Sequence, residues 1–393
     1  MQDLSFKSLI APCDSETFFS DVWERRPFVI ERHAPEYYRT LLTLSDVDRV
    51  LTTGNLKYPE IRLTKVDDPQ DADKYTFPDG RIDPVAVCKL FSNGTTIILE
   101  RMQLYIPTLE NLCRHLSTEL GIKFQTNLYL TPSNSGGFGA HYDTHDVFVL
   151  QVSGYKEWEL FDAPIELPMP GQHHNISGTA PGAVSLSFAL REGDILYIPR
   201  GLYHRARSGP EMSLHITLGA HTRSWCEFLM EALSELSLRD ISFRRALPVG
   251  MEMGKFQASE AVDQFLILLR RFSEAADFEA VVMSFRDEFA RTTNPCLVGQ
   301  LLQSVHINNM NGNTCVSIED GANYQITKTS EKIVLQYGNN VIEFPGSVER
   351  PLVDLLSSRS KKISDIDGEL DINDKIEVVR LTTEIGLTRL SQR

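Results

Sequence analysis

The sequence of 393 residues predicts a mainly β protein with α-helical additions. Between residues 125 and 222, short β-branched and aromatic runs alternate with Gly, Pro and Asn turns, which is typical of an antiparallel double-sheet barrel. From Trp225 to about 291, apolar residues recur at intervals of three and four, the period of a packed helix. Two strand-like runs, YQITKTS and IVLQYGNNVIEF, then precede helix-like segments. The expected domains are 1–222, 223–305 and 306–393.

The first 120 residues predict helices and strands, and they contain no motif that indicates a catalytic or metal-binding site. The segment 15–32, SETFFSDVWERRPFVIER, predicts a short helix capped by Ser15 and ended by Pro27, followed by a strand. Further along, TTIILE predicts a strand, and a helix is expected from about Leu104 to Leu120. We interpret the acidic loop 67–73 as solvated, with the border of a substrate entrance as the alternative.

Composition and charge exclude several classes of protein. A hydrophobic content of 42% is enough for a large core, and no apolar run reaches the length of about 18 residues that a membrane span needs. The N-terminus lacks the basic and apolar regions of a signal peptide, so we expect a cytoplasmic protein. Six scattered cysteines predict neither a disulfide framework nor a zinc site. The net charge of −14 argues against a general nucleic-acid binder and suits a basic partner.

The segment Gly136–Trp158, GGFGAHYDTHDVFVLQVSGYKEW, organises the chain. His141 and Asp143 stand two residues apart before an apolar run, and such residues share a face in an extended strand. An imidazole and a carboxylate on one face can bind adjacent positions of one metal ion. His204, which follows a short strand and a Pro-Arg-Gly bend in GDILYIPRGLYHRA, offers a third ligand. Two His and one carboxylate with open positions are typical of non-haem Fe(II) oxygenases.

Other histidines are alternatives to this set. A single His-x-Asp pair is common by chance, so the second His is what favours a metal site. His145 shares its parity with His141 and Asp143, but three ligands from one short strand would be crowded, and we interpret it as a rim residue. His173 and His174 lie in a turn-rich loop, where a rim-loop or substrate-lid role is the better interpretation.

The motifs HYDTHDVFVLQVSGYKEW and GDILYIPRGLYHRA resemble those of JmjC-type cupin oxygenases, and within them the ribosomal oxygenase group. That group includes bacterial arginine hydroxylases and nucleolar histidine hydroxylases that act on ribosomal proteins. The resemblance covers most of the chain. It implies a cupin double-stranded β-helix, a helical region that forms a homodimer, and a winged-helix-like C-terminal domain.

The resemblance also implies roles for single residues. His141, Asp143 and His204 would hold Fe(II), and Lys156 would bind the distal carboxylate of 2-oxoglutarate. Each of these four positions matches the family motif.

Further positions belong to the expected cosubstrate pocket. Asn127 and Tyr129, in FQTNLYLTP, match family positions that line it. Thr217 shares a strand face with His215 and is added as a candidate, although a strand Thr is more often only a strand former. Gly219 stands where many members of the resembling family carry a small hydroxyl residue, a departure that concerns one cosubstrate contact and not the metal site.

Lys156 has two interpretations from its residue type alone. It follows a Ser153-Gly154 hairpin turn between apolar neighbours, and an unpaired ammonium buried there would lose its hydration. A dicarboxylate ligand would supply the missing partner. The alternative is a solvated strand end that pairs with Glu157 or Glu159.

By resemblance, the activity is hydroxylation of a protein side chain with Fe(II), 2-oxoglutarate and O2, on a basic partner such as a ribosomal protein. In bacterial relatives the target is arginine. The alternatives are a natural-product precursor peptide or small molecule, demethylation of N-methyl-lysine, and a non-enzymatic cupin ligand sensor. The tail is not expected to bind nucleic acid, because residues 346–393 carry 8 Lys/Arg against 9 Asp/Glu.

Overall fold

The computed structural model describes residues 3–391 apart from 67, 163–165, 173–181, 294, 296 and 358–359. His173 and His174, and with them the predicted rim or lid loop, lie outside the described residues. The chain divides into two compact units, Met1–Thr222 and Arg223–Arg393. The division into three domains stays a prediction.

The first unit contains two antiparallel sheets and five α-helices in its described part. Its strands are β1 (Phe28–Ile30), β2 (Ile61–Lys65), β3 (Asp68–Pro69), β4 (Thr96–Leu99), β5 (Lys123–Thr131), β6 (Asp146–Ser153), β7 (Lys156–Phe161), β8 (Val184–Leu190), β9 (Ile195–Ile198), β10 (His204–Ser208) and β11 (Ser213–His221). Its helices are α1 (Phe6–Ile10), α2 (Ser15–Thr17), α3 (Leu44–Thr53), α4 (Pro84–Ser92) and α5 (Pro107–Leu120). The large sheet has the order β1-β9-β6-β11-β5-β4-β2-β3 and the small sheet the order β10-β7-β8. The predicted mainly β fold with helical additions is confirmed.

Strand β6 shows how the two sheets and the helices share one core. Its run DVFVLQ is buried on both faces, because alternate side chains of a strand point to opposite sides. Val147 and Val149 pack against Trp158 of the small sheet. Phe148 and Leu150 pack on the other side, in the cluster that contains the apolar faces of α1, α3 and α5. The inner face therefore lies between two sheets, as a barrel site requires.

The N-terminal helices differ from the sequence prediction at their ends. Asp14 rather than Ser15 caps α2, since its Oδ1 accepts a hydrogen bond from the Thr17 amide at 2.9 Å. The predicted helix from about Leu104 begins at Pro107, because proline lacks an amide hydrogen and is suited to the first helical position.

In its described residues, the second unit begins with four α-helices, and its later part contains both strands and helices. Its helices are α6 (Trp225–Arg239), α7 (Ala258–Ala275), α8 (Phe278–Thr292), α9 (Gln300–His306), α10 (Glu349–Ser357) and α11 (Ile372–Glu384). Its strands are β12 (Cys315–Ile318), β13 (Tyr324–Lys328), β14 (Lys332–Tyr337), β15 (Asn340–Pro345), β16 (Lys361–Lys362) and β17 (Thr388–Leu390), in sheets ordered β16-β12-β17 and β13-β14-β15. The run IVLQYGNNVIEF is a hairpin, because the Gly338 turn separates β14 from β15. Among the described helices of both units, none is long and apolar enough to cross a membrane.

Candidate metal centre and adjoining pocket

His141, Asp143 and His204 come together at one edge of the barrel. Each offers a ligand atom, and the three atoms lie within 4.8 Å of one another. His141 and Asp143 precede β6 rather than lying within it, whereas His204 begins β10. The backbones of His141 and His204 exchange two hydrogen bonds, of 3.1 and 2.8 Å, which bring the loop before β6 onto the small sheet. The grouping predicted from the sequence is thus present, and it could hold a metal ion.

The ring orientations of both histidines are set by backbone carbonyls. The Nδ1 of His141 lies 3.0 Å from the Gly139 oxygen, and the Nδ1 of His204 lies 3.1 Å from the Leu202 oxygen. A carbonyl can only accept, so each Nδ1 carries the proton and each Nε2 keeps a lone pair for a metal. Burial, followed by the neighbouring His141, lowers the pKa of His204 to about 4. His204 is therefore neutral at pH 7, as a metal ligand must be.

A buried ion-pair network connects the start of β6, just after the loop with two candidate metal ligands, to the bend before β10. The Nη1 of Arg200 donates to the Asp146 Oδ2 at 2.7 Å and also pairs with Glu24. Asp146 is fully buried and accepts a second hydrogen bond, at 2.7 Å, from the hydroxyl of Tyr197. Next to Arg200, the amide of Gly201 donates to the Asp143 carbonyl at 2.9 Å. These contacts hold the two chain segments that carry the ligands.

One cavity contains both the candidate metal ligands and most of the predicted cosubstrate residues. Its lining includes His141, Asp143 and His204 together with Tyr129, Lys156 and Thr217. Asn127 is not among the lining residues, and its Oδ1 accepts a hydrogen bond from the Arg101 amide at 3.0 Å.

Lys156 lies inside the barrel without a carboxylate partner. It is 3% exposed, and no ion pair in the described part of the chain involves it. Its Nζ lies 3.4 Å from the Nδ1 of His215 and 5.9 Å from the centre of the Tyr129 ring. Burial lowers the pKa of Lys156 to about 7. The alternative of a solvated strand end is wrong, because β7 turns Lys156 inward.

Two buried aromatic residues of this cavity received no role from the sequence. His215 stacks on Tyr129 with ring centres 4.9 Å apart, and burial holds the pKa of His215 well below the usual value, so the imidazole beside Lys156 is neutral. Trp158 is 4% exposed, and its Nε1 has no hydrogen-bond partner in the described residues. The sequence contains one indication that these two residues face the cavity, which is the two-residue period of a strand. Trp158 follows Lys156 by two residues, and Thr217 follows His215 by two.

His145 lies apart from the three candidate ligands. Its ring stacks on that of His221 with centres 4.8 Å apart, and it does not belong to the group of potential metal ligands. It is half-buried and comes directly before β6 in the chain.

Comparisons with known proteins find sequence similarity to one domain family and to several of its members. Residues 99–228 match the family model of the JmjC domain. The bifunctional lysine-specific demethylase and histidyl-hydroxylase NO66 of Aedes aegypti is 32% identical over 255 residues, which are 63% of this chain and 40% of that protein. Ribosomal oxygenase 1 of Danio rerio is 31% identical over 252 residues, 62% of this chain and 46% of that protein. The match therefore spans less than half the length of either relative.

A solved structure has the same fold along almost the whole chain. The ribosomal oxygenase YcfD from Escherichia coli, in complex with cobalt and 2-oxoglutarate, aligns with a TM-score of 0.54 at 14% sequence identity. The alignment covers 97% of this chain and 99% of that one. At this identity, the likeness shows a common JmjC cupin-like fold.

Proposed function

Because the chain carries a JmjC domain, we propose that it is an Fe(II)- and 2-oxoglutarate-dependent oxygenase that hydroxylates a side chain of a ribosomal protein. The observation that carries the proposal is the buried, unpaired ammonium of Lys156 in the same cavity as His141, Asp143 and His204. An interior cation without a partner is unfavourable, and a dicarboxylate supplies that partner.

The residues present fit both the metal and the cosubstrate. Two imidazoles and one carboxylate are a donor set that suits Fe(II) and leaves positions open for other ligands. When bound, Fe(II) would supply the oxidation of an unactivated carbon by O2, coupled to the oxidative decarboxylation of 2-oxoglutarate to succinate and CO2. Lys156 would hold the distal carboxylate, and the phenol of Tyr129 would line the same end of the pocket.

The apolar walls contribute by excluding water. Val147, Val149 and Ile198 line the cavity and are each at most 3% exposed. An environment of this kind strengthens the attraction between Lys156 and a carboxylate, because the local dielectric is low. It also shelters the reacting centre from competing hydrolysis.

The ribosomal-protein substrate is supported by the relatives and by charge. Two of the relatives that match are named as a ribosomal oxygenase and as a bifunctional lysine-specific demethylase and histidyl-hydroxylase. The chain also has a net charge of −14, which suits a basic partner. Bacterial members of the resembling group hydroxylate arginine, so arginine is the first target residue to test. Action on ribosomal proteins would place the enzyme in the cytoplasm.

The test is incubation of the purified chain with Fe(II), 2-oxoglutarate, O2 and host ribosomal proteins, followed by intact mass measurement. Hydroxylation adds about 16 Da to one protein, whereas demethylation removes about 14 Da, and fragment spectra identify the residue. The Asp143→Ala variant and a reaction without 2-oxoglutarate are the controls. Consumption of 2-oxoglutarate with no modified ribosomal protein would favour a precursor peptide or small molecule. Absence of both would favour the ligand sensor.

We also propose a homodimer through the helical part of the second unit. Helix α7 has no buried residue, and an exposed apolar stripe runs along it at helical spacing through Val262, Phe265, Leu266 and Leu269. An apolar face of this kind is typical of an interaction surface. Light scattering should show a dimer, and Phe265→Glu should give a monomer. Val353→Glu, at an exposed position of α10, is the control.

The C-terminal region supports protein docking more than nucleic-acid binding. Six of its described basic side chains lie beside carboxylates, in the pairs Lys328–Glu349, Lys332–Glu343, Arg350–Asp367, Lys361–Asp354, Arg380–Glu377 and Arg389–Glu319. Cations that are neutralised within the chain do not form a phosphate-binding surface. A winged-helix-like docking domain is the proposed interpretation, and retention of labelled duplex DNA at physiological salt would contradict it.

A further inference from the structure

We propose that the indole N–H of Trp158 donates a hydrogen bond to a carboxylate oxygen of bound 2-oxoglutarate. This inference rests on the proposed function, since it adds a residue to the same cosubstrate site. Trp158 would be a positioning and binding residue for the cosubstrate beside Lys156.

The first observation is an unpaired donor in the interior. Trp158 is 4% exposed, and its Nε1 has no hydrogen-bond partner in the described part of the chain. Buried polar groups of proteins almost always have a partner, and a buried N–H without one is unfavourable. A ligand that enters the cavity can supply the acceptor.

The second observation is where β7 places the ring. Lys156 and Trp158 are two residues apart and face the same interior side of the strand. In the pairing of β7 with β10, Lys156 lies opposite Ser208, Trp158 opposite Ala206, and Leu160 opposite His204. Trp158 is therefore the next inward-facing residue after Lys156 on β7. In the strand pairing it lies closer than Lys156 to His204, a candidate metal ligand.

The third observation is the surroundings of the indole. Its ring centre lies 5.9 Å from that of His204 and 5.8 Å from that of His215, and Trp158 lines the same cavity as both. Val147, Val149 and Ile198 pack in its cluster and offer no acceptor from their side chains. A Phe would fill this apolar cluster equally well. The indole differs from it by one polar atom, and that atom is the unpaired one.

The consequence is a second fixed donor for an anionic ligand. A hydrogen bond to a carboxylate is stronger than one between neutral groups. Together, the ammonium and the indole N–H would restrain the cosubstrate better than a single point charge. We expect loss of the indole donor to weaken 2-oxoglutarate binding by about tenfold.

The test uses the fact that the chain has three Trp residues. With indole-¹⁵N-labelled protein loaded with diamagnetic Zn(II), 2-oxoglutarate should shift the Trp158 N–H signal downfield and slow its exchange with water. The signals of Trp23 and Trp225 should stay in place. Assignment comes from Trp23→Phe and Trp225→Phe, so it does not depend on a folded Trp158 variant. A Trp158 signal that is unchanged at saturating 2-oxoglutarate would overturn the inference.

Calorimetry on Mn(II)-loaded protein without O2 gives a second readout. Trp158→Phe should weaken 2-oxoglutarate binding about tenfold with metal affinity and ligand-free melting temperature unchanged, and Trp225→Phe should bind like wild type. A structural role alone would instead lower the melting temperature. If wild-type protein does not bind 2-oxoglutarate at all, the proposed function fails. If wild type binds and Trp158→Phe binds within twofold of it, only this inference fails.

Discussion

The imidazole of His145 lies over Gly219 at a distance that leaves no room for a side chain there. A Cβ atom at position 219 would stand 2.8 Å from the Cδ2 and 2.9 Å from the Nε2 of His145. The same ring stacks on His221. A side chain at position 219 and this position of His145 therefore exclude one another.

Adding a methyl group at position 219 should displace His145. We expect Gly219→Ala to lower the free energy of unfolding by about 1 kcal/mol, at the low end of overpacking effects because the ring can move partly outward. Thermal denaturation measures this change. The double variant His145→Ala/Gly219→Ala should be more stable than Gly219→Ala alone, and equal stability of the two would contradict the coupling.

Removing any of the three candidate metal ligands should abolish turnover. His141→Ala, Asp143→Ala and His204→Ala each take away one of three protein ligands, so metal content and succinate production should fall together. Elemental analysis and a succinate assay measure both. His145→Ala is the matched control and should keep its iron. Full iron-dependent activity in one of the three variants would remove that residue from the set.

Lys156→Ala should raise the KM for 2-oxoglutarate. A charge-assisted contact contributes roughly 1.5–3 kcal/mol, which corresponds to about ten- to a hundredfold. Lys156→Arg should have a smaller effect, because charge is kept while the geometry of the donors changes. An unchanged KM in Lys156→Ala would mean that the cosubstrate binds elsewhere.

The same lysine predicts a pH dependence of cosubstrate binding. Burial lowers the pKa of Lys156 to about 7, and the carboxylate binds the protonated form. Affinity should thus be constant below pH 7 and fall as the pH rises above 7, because binding then requires uptake of a proton. Calorimetry between pH 6 and 9 tests this slope. Lys156→Arg should bind independently of pH in that range, and a parallel slope in both proteins would assign it to another group.

The buried ion-pair network around Arg200 and Asp146 should stabilise the loop that precedes β6. Arg200→Met leaves the fully buried Asp146 with Tyr197 and without its cation, which destabilises a protein by about 3–5 kcal/mol. Metal affinity should fall as well, since the neighbouring Gly201 holds the backbone of Asp143. Denaturant unfolding and metal titration measure the two effects. Arg207→Met, which removes an exposed arginine of β10, should change neither.

Recruitment of a basic substrate should depend on salt. We propose that exposed acidic residues of the segments predicted as acidic loops, such as Asp68 (which lies in β3), Asp73 and Glu166, attract a Lys/Arg-rich segment. Such solvated charges are screened over about 8–10 Å at physiological salt. The KM for a basic peptide should therefore rise with salt, mostly through slower association, while kcat stays constant.

A charge-neutralised variant provides the comparison for the salt effect. Asp68→Asn/Asp73→Asn should reduce the salt dependence, and Glu252→Gln/Glu260→Gln, at exposed positions of the second unit, should not. A KM that ignores salt would favour a neutral precursor peptide or small molecule as the substrate.

The sequence by itself determined the strand pattern, the helical stripes and the residue types of the metal group. These features are local: side-chain parity, turn residues and the spacing of His141 and Asp143 can all be read along the chain. The position of His204 was found in the same way, because a short strand and a bend precede it. The close approach of His145 to Gly219, by contrast, could not be read from the sequence.

Only the tertiary structure decided which side of each strand is interior and which residues lie across from one another. Parity states that Lys156 and Trp158 share a face, but burial of that face depends on the pairing of β7 with β10, strands more than forty residues apart along the chain. The same strand pairing decides that the Lys156 ammonium is in the interior and not in solvent. It also places the Trp158 N–H where it has no hydrogen-bond partner among the described residues. Asn127 is the opposite case to Trp158. Its side-chain oxygen already accepts a hydrogen bond from the Arg101 amide. Burial and satisfaction of polar groups are properties of all neighbours together, and no single stretch of sequence contains them.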